Sequence, residues 1–366
     1  MPAHRSGLRP GALTRRDVLR GVSAFGAAAV VYGRGRTVHG QGKPLRATTL
    51  SHSDAGTTYT QHMVADQLGF FKEAGLAIEF IVPGGGARVA QMIAGDQVAF
   101  AQGDSAHPVL ISARGRPCKM IYSSDLRCAY ANLIVRKEPW EQGLNTVEKL
   151  ATMKRADGSP RVVAATALGS GTWVYGSYIL SQYRANGRPV NEQVKWVSGG
   201  GSTTLLGGLK SGQFDAIAGP PRWVETAKRE GYGELLYDVQ SEQDWMRVFK
   251  GNIPTTVGYA LKKTLDAEPE LTQDYVSAVW RAQQWIKGRD PEQIYDVIGK
   301  KFMPTFARDI LVADIRYYQL LFNYDMTISS RDFENSKRVL IPLVTDKDYT
   351  YENLVDPRFL DKARKA

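Results

Sequence analysis

The chain has 366 residues, 43% apolar and 23% charged, with 36 Gly and 17 Pro. That length supports two domains, or one large one, with a sizeable core, and the composition excludes disordered, collagen-like and coiled-coil classes. The formal net charge is +10, but residues 1–42 hold seven Arg against one acidic residue, leaving only +4 on the other 324 residues. With no dense Lys/Arg tract, zinc-finger spacing or heptad, the charge does not point to nucleic acid as a partner. No run of 18 apolar residues occurs, so no conventional membrane span is expected.

The N-terminus reads as an address. Arg15 and Arg16 are followed by Val18, Leu19 and Arg20, then by a mild Ala/Gly-rich run over 21–32. This is the layout of a twin-arginine export signal. Residues 1–42 are expected to be cleaved, leaving a periplasmic protein. Val38-His39-Gly40 and Gly40-Gln41-Gly42 both stand as cleavage sites. The only two cysteines, Cys118 and Cys128, exclude a disulfide scaffold and a four-Cys zinc site. An oxidising compartment would permit a disulfide between them, but two separate thiols are expected.

From residue 45 strands and helices alternate. Strands are expected over 45–50, 77–82, 98–101, 118–122 and 131–135. A helix over 57–73 carries Met63, Val64, Leu68 and Phe71 at helical spacing and stops at Gly75; a short one covers 87–94. The same grammar restarts with helix 146–153, strand 162–166, helix 171–185, strand 194–197, helix 202–210, strand 214–218 and helix 221–230. A strand over 255–261 could return to the first half. A long amphipathic helix over 268–287 and further helices over 292–340 follow, with Trp280 and Trp285 covering the core. Such alternation implies parallel sheets covered by helices.

The halves also resemble each other. Gly84-Gly85-Gly86 recurs as Gly199-Gly200-Gly201, and the segment 94–101 recurs over 211–218. Two similar α/β lobes are therefore expected; facing each other they would make a cleft, and clefts between domains favour ligands.

In open α/β sheets, ligands sit beyond the carboxyl ends of strands, where helix N-termini offer free N–H groups. Five turns have that position: Ser51-His52-Ser53-Asp54, Gly84-Gly85-Gly86, Gly103-Asp104-Ser105, Gly169-Ser170-Gly171-Thr172-Trp173 and Gly219-Pro220-Pro221-Arg222. The segment 169–173 is the strongest, joining small polar residues to an aromatic at a strand-to-helix junction. Catalytic motifs are missing. There is neither a phosphate loop nor a G-x-G-x-x-G after a strand. Gly103-Asp104-Ser105 echoes a serine-esterase opening, but the last His is His107, which leaves no late histidine for a triad. No metal-ligand spacing occurs among the histidines. No catalytic residue, metal or cofactor is therefore expected.

The residues also carry a family likeness. Gly69-Phe70-Phe71-Lys72-Glu73-Ala74-Gly75-Leu76, then 94–100, then Leu133-Ile134-Val135-Arg136-Lys137 leading to Val147-Glu148-Lys149-Leu150, then Gly169-Ser170-Gly171-Thr172, and last 209–216 stand in order over about 45–262. In these the sequence resembles the sulfonate, taurine, nitrate and thiamine-pyrimidine group of solute-binding proteins that serve ABC importers. The resemblance implies a type II periplasmic-binding fold: two α/β lobes, a ligand cleft between them and C-terminal helices. Lobe one would span 43–136 and 255–366 and lobe two 137–254, with crossings near 135–137 and 254–259. It implies a monomer that captures a small acidic or polar solute and delivers it to an ABC permease and its ATPase. Its ligand positions carry over to Ser51, His52, Gly85, Gly86, Asp104, Ser105, Ser170, Gly171, Thr172 and Trp173, with Pro221 and Arg222 in the neighbouring loop. Asp104 departs from what an anion binder would want, while Arg222 and Arg127 could pair with an acid. Two other classes stay open: an enzyme like the thiamine-pyrimidine synthase of the same fold, and a ligand-sensing subunit for a membrane receptor.

Overall fold

The computed structural model describes residues 30–32 and 44–366. The expected export signal lies outside the described residues apart from a three-residue strand, Val30–Tyr32. In chain order the strands are β1 (Val30–Tyr32), β2 (Arg46–Ser51), β3 (Leu76–Val82), β4 (Phe100–Asp104), β5 (Cys118–Ser123) and β6 (Asn132–Arg136). They continue with β7 (Val162–Ala165), β8 (Arg184–Ala185), β9 (Arg188–Pro189), β10 (Lys195–Ser198), β11 (Ala216–Gly219), β12 (Gly233–Tyr237) and β13 (Thr256–Leu261).

Two sheets carry the architecture. The first has the order β1-β3-β2-β4-β13-β5 and the second β10-β7-β11-β6-β12; β8 and β9 form a small hairpin. The two main sheets share one topology. In each, the first strand of the unit lies between the second and third (β2 between β3 and β4, β7 between β10 and β11), all pairing in parallel. In each, an antiparallel strand from elsewhere in the chain is then inserted: β13 between β4 and β5, β6 between β11 and β12. The repeat visible in the sequence is thus a repeat of topology.

Those inserted strands mark the crossings, and the first differs from expectation. The chain enters the second sheet at Asn132, before the expected 135–137 crossing, so β6 belongs to the second sheet rather than the first. The reason lies in burial. Leu133 and Val135 point into one apolar cluster of the second sheet and Ile134 into the other, so β6 is central and covered on both faces. Its sequence reads as a buried strand without saying in which sheet. The crossings are the segments 124–131 and 250–255, since the helix Glu242–Phe249 still packs on the second sheet.

Other differences are local. The expected helix over 57–73 is broken into Thr57–Tyr59, Thr60–Gln67 and Phe70–Glu73, because Gly69 adopts φ 78°. β4 runs on to Asp104, since β13 pairs with it through Thr256↔Asp104. The helix Ala106–Ala113, strand β12 and helix Glu242–Phe249 were not foreseen. The long helix Pro269–Lys287 packs Tyr275, Val276, Val279, Ala282 and Ile286 against Leu50, Phe80 and Phe100 of the first sheet. Each such burial contributes about 1.5–3 kcal/mol. Trp280 and Trp285 cover that cluster, as expected. Both cysteines are free and buried. No helix among the described residues is long and apolar enough to cross a membrane.

Candidate functional site

The carboxyl ends of the parallel strands of both sheets face one cavity. It holds about 620 Å³ of atom-free space, including its open mouth. All five candidate turns reach it, through Ser53 and Asp54, Gly84 to Gly86, Asp104, Ser170 to Thr172, and Pro220 with Arg222. Of the expected residues, Gly85, Gly86, Asp104, Ser170, Gly171, Thr172 and Arg222 line it.

Helix starts dominate the wall. Gly85 caps the helix Gly86–Ala94, Ser170 the helix Gly171–Ser181, Gly201 the helix Ser202–Ser211 and Pro220 the helix Pro221–Arg229. Glycine is required at two of them. A Cβ on Gly86 would stand 2.8 Å from Cε1 of His107, and one on Gly171 would collide with Oδ2 of Asp104. The second approach joins the two sheets, since Asp104 ends β4 while Gly171 follows β7.

Asp104 is held from two sides. Its Oδ1 accepts the Ala106 N–H at 2.8 Å and its Oδ2 accepts the Tyr130 O–H at 2.8 Å. Burial pushes its pKa up to about 7, against the pull of these two bonds and with help from the Asp125 charge. His107 pairs Nδ1 with the Tyr259 hydroxyl at 3.2 Å, and burial lowers its pKa to about 4, so it is neutral at pH 7. Thr166, Ser170 and Thr172 form a hydroxyl cluster: Thr166 Oγ1 donates to Ser170 Oγ at 2.8 Å, and Ser170 Oγ lies 3.0 Å from Thr172 Oγ1.

Arg222 is buried and already paired. It reaches Asp54 at 3.2 Å and Asp314 at 3.4 Å, and its backbone N–H donates to Asp314 Oδ1 at 3.0 Å. Burial opposes its charge, but the two carboxylates outweigh that and hold it protonated. It is therefore not a free cation awaiting an acid. Arg127 does not line the cavity.

Three buried polar atoms on residues that line the cavity have no hydrogen-bond partner: His107 Nε2, Arg222 Nε and Trp223 Nε1. An unpaired buried polar group costs roughly 1–3 kcal/mol.

Five expected residues lie behind the wall, and each has a structural task. Ser51 Oγ donates to the Ile81 carbonyl at 2.7 Å. His52 donates from Nδ1 to the Asp54 carbonyl at 2.6 Å and stacks on Tyr59, which does line the cavity. Ser105 Oγ pairs with the Tyr175 hydroxyl at 3.2 Å. Pro221 is the first residue of its helix. Trp173 packs into the apolar cluster of Val89, Ile93 and Val174; the helical turn carries it away from the cavity. Trp223 is the tryptophan that lines it, and Gly219 makes its room, since a Cβ there would collide with the indole.

Several lining residues were missed: Thr58, Tyr59, His107, Tyr130, Thr166, Gly201, Ser202, Trp223 and Thr256. A signal existed for Gly201, because its triple-glycine turn repeats Gly84-Gly85-Gly86. None existed for Tyr130 and Thr256, which sit at or beside the crossings. Among the described residues no cluster of three or more His, Cys, Asp or Glu could hold a metal ion.

Residues 54–299 match the NMT1-like family. The chain belongs to that family. YtlA of Bacillus subtilis, whose own assignment as a binding protein is provisional, is 20% identical over 87% of this chain and 89% of its own. A Bordetella bronchiseptica structure superposes with a TM-score of 0.75 at 20% identity, covering 87% of this chain and 97% of that one. The periplasmic nitrate-binding protein NrtA of Synechocystis follows at TM-score 0.68 and 13% identity, covering 88% and 89%. Periplasmic sulfonate-binding SsuA proteins share the fold. The fold is thus that of the periplasmic binding proteins of ABC importers, as the sequence resemblance implied. Most of these neighbours are binding proteins. One is an enzyme, the desulfurization enzyme DszB, at TM-score 0.58 and 14% identity over 87% of this chain and 99% of that one.

Proposed function

We propose that the chain is a periplasmic receptor that closes on one small solute and delivers it to an ABC permease and its ATPase. The observation that carries this reading is a cavity between two sheets, walled by four helix starts and by residues that carry three unpartnered buried polar atoms. Among the described residues neither His107 nor Asp104 hydrogen-bonds a serine or threonine hydroxyl or a thiol, so no nucleophile–base pair of that kind lines the cavity. The two sheets act as two lobes hinged in the segments 124–131 and 250–255. The ligand contacts are Gly85, Gly86, Asp104, Ser170, Gly171, Thr172, Tyr130, Arg222, Trp223 and Thr256. The receptor works as a monomer, exported by the twin-arginine route; Arg15→Lys with Arg16→Lys is expected to hold it in the cytoplasm, and normal periplasmic recovery would refute that route.

The test is native mass spectrometry of the purified protein after exposure to a cell extract. One small molecule should be retained at one copy per chain and be released unchanged on unfolding. No retained molecule, or a chemically altered one, would sink the receptor reading.

A further inference from the structure

We propose that Asp104 is the specificity-determining residue of the cleft: its carboxylate stands on the cavity wall against the start of the helix Gly171–Ser181, so the site rejects small oxyanions and selects a solute that presents a hydrogen-bond donor. The inference rests on the receptor reading above.

The start of an eleven-residue helix offers free N–H groups and partial positive charge, which suit an anion. Here a carboxylate of the protein stands beside it. The missing Cβ of Gly171 lets the Asp104 carboxylate, from the opposite sheet, pack against that helix start. The Ala106 N–H and Tyr130 O–H hold it there, each at 2.8 Å. A carboxylate has about four acceptor sites, so two bonds leave capacity for a ligand donor.

At a second helix start a carboxylate takes the free N–H directly. Pro221 has no N–H to offer, and the Arg222 N–H donates to Asp314. Among the described residues Arg222 is the one Lys or Arg that lines the cavity, and it is paired with Asp54 and Asp314. Above about pH 7, where Asp104 is ionised, a nitrate or sulfonate would meet its charge with no unpaired guanidinium or ammonium on the described wall to offset it.

The remaining polar equipment fits an acceptor-bearing but not anionic solute. Trp223 Nε1, which can only donate, is unpartnered, as is His107 Nε2. Both residues are more than nine-tenths buried. The fitting cargo is therefore neutral or cationic, with an N–H or O–H for Asp104 and a carbonyl or ring nitrogen for Trp223.

Isothermal titration of the purified protein with sodium nitrate and with sodium methanesulfonate, at a pH above 8, tests the inference. Wild type should show no saturable binding of either anion. Asp104→Ser removes the charge and opens the space, and should bind at least one of them on the order of 100-fold above the wild-type limit. Asp104→Asn keeps an acceptor for the Ala106 N–H and fills the same volume; it preserves the fold and should gain less, and it carries the test if the Ser variant does not fold. Saturable binding by wild type overturns the inference, as do folded variants that gain nothing. The extract experiment separates the two readings. A wild type that retains a solute while the variants gain no oxyanion keeps the receptor and loses the role of Asp104.

Discussion

Arg222→Met probes the one buried charge cluster that ties the helix Pro221–Arg229 to the rest of the molecule. The guanidinium pairs with Asp54, whose side chain is 43% exposed, and with Asp314, whose side chain is fully buried. The Met side chain fills similar space without charge. Asp54 then turns to water at little cost. Asp314 cannot. Removing one partner of a buried pair costs about 3–5 kcal/mol, because it strands the other charge. An unfolding entropy of about 2.1 cal/mol/K per residue gives roughly 0.7 kcal/mol/K for a chain of this size, so the melting temperature should fall by about 4–7 °C.

The pH dependence identifies the cause. Burial already holds the Asp314 carboxyl above its ordinary range, and Arg222 pulls it back. Without Arg222 it rises further, so the folded variant keeps a proton that the unfolded chain releases. Stability then falls as pH rises through that window, and the penalty relative to wild type is smaller at pH 5 than at pH 8. Adding Asp314→Leu to the Met variant should recover most of the loss, since replacing a whole buried pair is close to neutral. The assay is thermal unfolding of protein stripped of any bound solute, which would otherwise add its own stabilisation. A fall of less than about 1 °C, or a penalty that does not shrink in acid, refutes the stranded-charge account.

Other consequences are simpler to test. Trp223→Phe keeps the ring but removes the unpartnered Nε1 donor, so affinity for the extracted solute should drop roughly tenfold with little change in melting; unchanged affinity removes that bond. Trp173→Ala should do the reverse, costing about 3 kcal/mol of stability because it packs in an apolar cluster, and leaving affinity unchanged. Burial raises the thiol pKa of both Cys118 and Cys128, so neither should react with a disulfide reagent until the chain unfolds, when both should; rapid native labelling would contradict their placement. Burial also pushes the Asp104 carboxyl up to about 7 and Asp125 up to about 6. The folded state therefore binds protons that the unfolded chain has lost, and wild-type stability should fall relative to Asp104→Asn as pH rises from about 4 to 7. Parallel pH profiles would show that Asp104 is not the group responsible.

The fold was legible because its signals are local. A β-branched apolar run, a glycine stop and an amphipathic repeat are each contained in a few residues, and the glycine-rich turns put five strand ends on the right side of their sheets. Strand membership was not local. Nothing within Asn132–Arg136 distinguishes a first-sheet strand from the inserted strand of the second, because both are apolar on two faces. Position along a turn was equally hidden. Ser51 and His52 stand one step before the cavity and Ser53 and Asp54 reach it, while Trp173 stands one helical step beyond Thr172. At about 100° per residue along a helix, one step is enough to exchange a ligand face for a core face.

The chemistry of the cleft was hidden for a further reason. A motif search looks for residues that carry a reactive group, whereas selectivity here lies in what is missing. Gly171 contributes an absent Cβ, which matters only because Asp104 of the other sheet fills the gap. Trp223 contributes an absent partner for its N–H, which becomes a fact only once every neighbour is known. Arg222, the residue that looked most like an anion anchor, loses that role to Asp314, which lies in a C-terminal helix that no turn motif connects to the cleft. A charge read along the chain counts the guanidinium alone; the folded molecule counts it together with the carboxylates that reach it first.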